Sequence, residues 1–457
     1  MTMEENGKKL GLLNLLGLGL GSAIGTGIFV MLGYGIAYAG RSIVLVCAVG
    51  CFFMLLAFWY NLAMSTVFVF KAGDYGMRTM LFTPILTGVA AWFTVIQAFS
   101  LSSHSIAITQ YAAMAFPWVG THTRLVAFCI LTVAFLCTIK GSGFITVLQN
   151  IVTALLVVAL VIFIAFGVGK VDPTAFFSSA DGGFFRGGVS GFVAAISIMA
   201  FACMGTSGLV SMAAVTKNPK RKIPMAMIIV TAILAIIYAV MAYVASGVLP
   251  YDQVAGVNLS VTAEAIMPHT FYMFFVCGGG ICAIGSTLLS TIAIFRYPML
   301  QIAEDGWLPT AFKKTTKSGY PWVAYLVLYI VSAVPVLTGM SIETLVSDVM
   351  IPTMLMNLYM NIKCITLPRK YPEQWEKRSV KMPVWFWNIC SVLGGVCALM
   401  VVYNLFINLA TVDAIVCVIM VVVLVFLSWL RLKQGAVKAE DLEKIRQNTI
   451  EEALTIE

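Results

Sequence analysis

The chain has 457 residues, 60% of them hydrophobic and only 11% charged, with a mean hydropathy of +0.96. Soluble domains carry roughly 25% charged residues, so this composition excludes a water-soluble globule and specifies a polytopic, all-α membrane protein. The net charge of +8 follows from lysines and arginines kept on one side of the bilayer and requires no nucleic acid or acidic partner.

A hydrocarbon core of about 30 Å takes about 20 apolar residues per helix. Twelve stretches qualify: 11–38, 42–70, 84–115, 124–139, 143–168, 189–215, 224–248, 271–297, 322–339, 343–365, 384–409 and 412–431. The first is too long for a signal-peptide core and lacks a small-residue cleavage site, so it is expected to stay as a span. With the N-terminus inside, the inside segments hold 24 of the lysines and arginines, and the outside holds only Arg41, Arg124, Lys170 and Arg186. Positive charge stays cytoplasmic, so both termini are expected in the cytoplasm of a multi-pass plasma-membrane protein. The eleven cysteines fall within apolar runs or at their ends, with no C-x-x-C pair. They read as small buried hydrophobes, not as disulfides or metal ligands.

The first span holds "GLGLGSAIGTGIFVMLG", with six glycines between Gly17 and Gly33. Two readings stay open. Gly21 with Gly25, and Ser22 with Thr26, have the small-x-x-x-small spacing of close helix packing. Alternatively the segment is an unwound hinge, because irregular backbone survives in lipid only where protein, water or a ligand satisfies it. The third span carries "QAFSLSSHSIA" (97–107), with Gln97, Ser100 and His104 on one stripe and Ser103 beside it. His104 reads as a structural histidine, a ligand contact or a proton-linked switch. The sixth span has its own weak point, "FACMGTSGL" (201–209), with Gly205, Thr206, Ser207 and Gly208. Interrupted helices at corresponding places in two halves mark the site of an inverted-repeat transporter.

The eighth span contains "IGSTLLST" (284–291), whose Ser286 and Thr287 bond either their own backbone or a ligand. The tenth contains Asp348, the one acid placed well inside a span rather than at its edge, and Pro352, expected to kink it. Asp348 is either an intramembrane functional group or a wetted helix start. The tail "KAEDLEKIRQNTIEEALTIE" (438–457) reads as a solvated helix near the cytoplasmic surface.

Five pieces in order resemble the amino acid–polyamine–organocation (APC) permeases, which share the LeuT-type fold. They are "GSAIGTGIF", "KAGDYGMRTM" (71–80), "KNPKRKIP" (217–224), "VLPYDQV" (248–254) and "AEDGWLP" (303–309). The resemblance covers roughly residues 10 to 310. It implies two inverted five-helix repeats, 11–168 and 189–365, followed by two further helices in 384–431. Segments 1–10 and 432–457 then form the cytoplasmic ends. It also implies a substrate site between broken helices one and six. Backbone amides and the hydroxyl of Ala23, Ile24, Gly25, Thr26 and Gly27, beside Ser22, would meet a carboxylate. Carbonyls of Phe201, Ala202 and Met204, beside Gly205, Thr206 and Ser207, would meet an ammonium. Helix three would contribute Ser103 and His104, and Phe201 would form part of a lid. Ser286 and Thr287 resemble a sodium-ligating hydroxyl pair.

The sequence departs from the family at three places. Ser207 stands where many members carry an acid. Leu156 stands where proton-coupled members carry a lysine. His104 replaces a small residue. The expected function is secondary active transport of an amino acid by permeation or exchange. An amine or polyamine exchanger is the alternative, and a channel a more distant one. No H-E-x-x-H, G-x-S-x-G or P-loop motif occurs, so neither an enzyme nor an ATP-driven pump is expected, and no cofactor or metal. The oligomeric state is not legible.

Overall fold

The computed structural model describes residues 10–455 except 71, 140–141, 179–181 and 317–319. Lys8, Lys9, Lys71, Lys140 and Lys317 of the charge bias, and the N-terminal segment 1–9, lie outside the described residues. Helices account for nearly all of the rest, and the one β-bridge joins Leu10 to Thr216. Among the described residues eight helical runs are long and apolar enough to cross a membrane, the longest being Leu12–Ala57, Pro84–Ala115 and His269–Glu304. Thr123–Ile139 and Trp322–Thr338 are shorter apolar helices. Large apolar side chains lie exposed along the last two long spans, among them Val396, Leu399, Val412 and Val422. In water such a surface would aggregate; against lipid it costs nothing.

The first predicted span divides into α1 (Leu12–Ala23), a break, a π-helical turn over Gly27–Met31, and α2 (Leu32–Ala39). The second, expected as one helix over 42–70, is interrupted at Phe58 between α3 (Ile43–Ala57) and α4 (Trp59–Val67). The reason is a side chain from far along the chain. Asn361 Nδ2 donates to the Ala57 carbonyl at 3.0 Å, and its Oδ1 accepts from the Tyr60 amide at 3.0 Å. One carboxamide thus replaces a rung of the backbone ladder, which is how an inserted side chain bends a helix. A short helix, α5 (Gly73–Leu81), follows. The third span likewise pauses at Gln97 and Ala98, between α6 (Pro84–Ile96) and α7 (Phe99–Ala115).

The sixth predicted span is α8 (Gly188–Cys203), which gives way at Met204 to a 3-10 helix over Gly205–Val215. Asn218 then adopts a left-handed conformation (φ 53°), and Pro219 opens α9 (Pro219–Gly247) at its first position. The eighth span runs through a π-helical stretch, Phe275–Ile281, into α10 (Cys282–Ile294). The tenth is α11 (Ile342–Cys364), capped by Ser341, whose hydroxyl accepts from the Thr344 amide at 3.1 Å. Asp348 therefore lies inside a helix and is buried, which removes the wetted-start reading. Two long helices, α12 (Val384–Asn408) and α13 (Thr411–Lys433), complete the bundle.

The tail helix, α14 (Ala439–Thr455), is docked rather than free. Leu442 and Ala453 are buried. Arg446 Nε donates to the Thr79 carbonyl at 2.8 Å, and its Nη2 donates to the Phe82 carbonyl at 2.5 Å. These carbonyls close α5 and would otherwise be orphans. Lys220 Nζ donates to the Ala453 carbonyl. Just before α14, Arg431 donates to the carbonyls of Gly306, Trp307 and Leu308, in the "DGWLP" loop. Beneath the tail lies a cavity of about 220 Å³ lined by Tyr75, Thr79, Asp305, Arg446 and Thr449, among others. In its wall the Asp305 carboxylate accepts from Tyr75 Oη at 2.6 Å and Gln301 Nε2 at 2.7 Å. Burial pushes the Asp305 carboxyl above its ordinary range, and these two bonds oppose that.

Arg446→Ala removes the charged donor that holds α14. The expected outcome is faster tryptic cleavage within 438–450 of the reconstituted protein. The thermal midpoint of the helical bundle should change little.

Candidate functional site

The two interrupted stretches meet. The helical ladder of α1 ends with the Ile24 amide on the Leu20 carbonyl at 2.9 Å. Ile24 is extended (φ −85°, ψ 100°), and the ladder restarts only with the Phe29 amide on Gly25 at 3.2 Å. The amides of Gly25, Thr26, Gly27 and Ile28 find no acceptor in the preceding turn. This is the four-donor fringe of a helix N-terminus, with its partial positive charge, placed in the middle of the protein. Free amides thus run from Gly25 to Ile28, not from Ala23 to Gly27 as expected, because Ala23 and Ile24 still belong to the α1 ladder.

The π-helical turn that follows has a visible cause. The Phe29 carbonyl accepts from Tyr111 Oη at 2.9 Å and from the Leu259 amide at 3.2 Å. An acceptor drawn away by a neighbouring helix and the segment around Leu259 leaves the local spiral wide.

On the facing side the α8 ladder stops at Cys203, and eleven residues run as 3-10 helix. Such runs rarely exceed three or four residues and mark strain or a hinge. The two breaks touch through backbone. A Cβ at Gly27 would collide with the Cα of Ala202, and one at Gly205 would collide with Ala23. The glycines therefore serve close packing and the interruption together, which answers both readings of the opening motif. Ser22 Oγ donates to the Gly19 carbonyl at 3.1 Å and reaches the Gly205 carbonyl at 3.5 Å.

Helix α7 closes a third side. His104 Nδ1 lies 2.8 Å from Thr26 Oγ1, and both side chains are buried. The His104 and Phe201 rings have centroids 5.9 Å apart. Thr26, His104 and Phe201 thus come together from three helices. Ser103 does not take part through its hydroxyl, which donates to the Ser100 carbonyl at 2.8 Å. Thr206 is buried and Ser207 half-buried along the 3-10 run. The arrangement offers backbone donors on one side and backbone carbonyls on the other, with no charged side chain between them among the described residues; of the carbonyls, Met204's already accepts from the Ser207 amide at 3.0 Å.

The sequence profile described as "Amino acid permease" matches residues 10–428. The D-serine/D-alanine/glycine transporter of Escherichia coli is 27% identical over 323 residues, covering 66% of this chain and 67% of the relative. The branched-chain amino acid permease BcaP of Lactococcus lactis is 24% identical over 428 residues, covering 86% and 88%. The amino-acid permease AapA of Bacillus subtilis is 26% identical over 351 residues, covering 72% and 73%. The chain belongs to the amino acid permease family. It is a multi-pass membrane transporter and not an enzyme.

In this permease α10 lies against the first break. The carbon missing from Gly25 would occupy the place of the Thr287 hydroxyl. Thr287 Oγ1 donates to the Ala283 carbonyl at 3.1 Å, whereas Ser286 Oγ is buried without a partner among the described residues. Asp348 stands apart from the crossing. It lies in the field of Asp413 and beside Cys417, both on α13. Its Oδ1 has no partner among the described residues. A cavity of about 370 Å³ is lined by Thr344, one turn before Asp348, and by its neighbour Ser347, with Glu343 and Asp413 in its wall.

Two residues of the site escape a reading by sequence. Tyr238 on α9 is fully buried, and its hydroxyl lies 3.0 Å from the Ala23 carbonyl and 3.5 Å from the Ala202 carbonyl. Tyr111 on α7 holds Phe29 as described above. Both sit in apolar helices, Tyr238 with Tyr243 five residues on, and nothing in their spacing distinguishes them from core. Most of the cysteines behave as small apolar residues: seven are buried, and none forms a disulfide.

Gly27→Val places a branched side chain against the Ala202 backbone. Overpacking of this kind costs about 1–3 kcal/mol, and the breaks can then no longer close on each other. The variant is expected to reach the membrane and lose at least nine-tenths of its uptake. Uptake is scored against surface-labelled protein.

Proposed function

We propose that this permease carries a zwitterionic amino acid across the plasma membrane as a secondary transporter working by alternating access. One observation carries the reading: free amides at Gly25, Thr26, Gly27 and Ile28 face the end of a second interrupted helix at Ala202–Gly205. A carboxylate suits the amide fringe, and an ammonium suits the carbonyls of Phe201, Ala202 and Met204. A charged side chain at mid-bilayer costs about 2.5–3.5 kcal/mol on insertion scales. Dipoles of broken helices do the same work without that penalty.

Thr26 and His104 then form the wall nearest the substrate side chain, with Phe201 as part of the lid. Ser22, Ala23, Ile24, Gly205, Thr206 and Ser207 frame the breaks, and Ser103 backs the His104 helix. Ser286, Thr287 and Asp348 are the candidates for ion binding or coupling. Ser207, in place of an acid, disfavours a polyamine or a strongly cationic amino acid.

We read the architecture as twelve spans in two inverted five-helix repeats, 11–168 and 189–365, with helices eleven and twelve in 384–431. Leu12–Ala57 has 46 residues. At 1.5 Å per residue that is about 70 Å, twice the hydrocarbon thickness, so it supports two spans turned back at Gly40. The lysine and arginine bias supports cytoplasmic termini. Residues 1–10 and 432–457 then lie in the cytoplasm.

Two measurements test the reading. Purified protein is screened for thermal stabilisation by the common amino acids and by polyamines, with and without sodium. Neutral amino acids are expected to raise the midpoint and putrescine is not. Proteoliposomes loaded with the best amino acid should take up its labelled form by counterflow. Uptake that does not depend on internal substrate and does not saturate would instead indicate a channel. His104→Phe is expected to raise KM for counterflow more than it lowers the maximal rate, because it removes the Thr26 contact from the pocket wall.

A further inference from the structure

Tyr238 touches both breaks with one hydroxyl. A phenol carries one O–H and donates along one line at a time. Its two neighbours, the Ala23 carbonyl at 3.0 Å and the Ala202 carbonyl at 3.5 Å, are main-chain acceptors from different interrupted helices. The Tyr238 side chain is fully buried. Around it lie the thiols of Cys47, Cys51 and Cys203. Cys51 and Cys203 approach with their sulfurs 3.5 Å apart, and Cys203 directly precedes the Met204 break.

We propose that Tyr238 is a positioning residue that couples occupancy of the second break to closure of the first. The inference rests on the amino acid carrier reading, in which the substrate ammonium takes the Ala202 carbonyl. With that carbonyl filled, the Tyr238 hydroxyl has one acceptor left, the Ala23 carbonyl. Its full hydrogen bond then pins the end of α1 against α9. With the site empty, the hydroxyl divides itself between two acceptors and α1 is held less firmly. For α1 to swing away and open the site to the cytoplasm, the bond to Ala23 has to break. The substrate thereby tightens a gate it does not touch through its side chain. This requires no charge and no movement of Tyr238 beyond a hydroxyl rotation.

The buried cysteines report on the gate. Cys51 and Cys203 are almost fully covered, so a membrane-permeant maleimide reaches them only when the helices part. The protein is reconstituted in liposomes, and alkylation of each cysteine is followed by peptide mass spectrometry. Glycine and L-leucine are the probes, added separately. Tyr238→Phe keeps the ring and deletes the hydroxyl. Without probe it is expected to be alkylated at Cys203 about fivefold faster than the unaltered protein, the population change set by one buried hydrogen bond. The unaltered protein should be protected by at least one probe, and Tyr238→Phe should lose that protection.

Equal labelling rates and equal protection in the two proteins would overturn the proposal. Absence of protection by both probes in the unaltered protein counts against the carrier reading, while the probe-free rates still decide the latch. If Tyr238→Phe is not recovered in the membrane, hydrogen–deuterium exchange on the unaltered protein decides. A protecting probe must then slow exchange in both 24–28 and 204–209. Slowing of one segment without the other would overturn the coupling, and so would slowing of neither.

Discussion

In a hydrocarbon medium a peptide group without a hydrogen-bond partner is costly, and the rest of this structure is organised around that constraint. Three of the interruptions are matched by a partner brought from elsewhere. The Ala23 carbonyl meets Tyr238, the Phe29 carbonyl meets Tyr111 and Leu259, and Ala57 and Tyr60 meet Asn361. The amides from Gly25 to Ile28 are left without an acceptor among the described residues. This unmatched set of donors at the meeting point of three helices is the observation on which the proposed carboxylate site rests.

The two breaks depend on each other for their shape. Neither could be stable as a lone segment in lipid, and glycine at 27 and 205 lets the two main chains touch. His104 on Thr26 forms a third wall of the crossing and ties α7 to the first break by a side-chain bond rather than a backbone one. A wall made this way changes with single substitutions, whereas the backbone fringe does not. Under the proposed function, recognition of the common zwitterion and choice among side chains would be physically separated.

Much of this was legible in the sequence, and the limits have physical causes. The glycine clusters at 17–33 and 205–208 announced the two breaks, because lipid tolerates weak helices only for a reason. The same signal could not say which amides were free. That depends on where the α1 ladder ends, a matter of one residue's ψ at Ile24. The break at Phe58 was invisible, since "AFWYN" has nothing that disrupts a helix, and its cause sits some three hundred residues later at Asn361. Tyr238 was invisible for the same reason: its neighbours in space are not its neighbours in sequence. The docking of α14 escaped because its buried residues, Leu442 and Ala453, are too few to form an apolar stripe.

The carboxamide of Asn361 has a consequence for how the sequence can drift. It lends one donor and one acceptor to a gap in α3–α4 that a continuous helix would fill by itself. Aspartate there would forfeit the donor, and leucine would forfeit both, leaving two main-chain groups stranded in oil. The kink and the asparagine are therefore a matched pair. Descendants of this chain can lose both together by straightening the rod, but an exchange at one place alone leaves an intermediate that membrane quality control would discard.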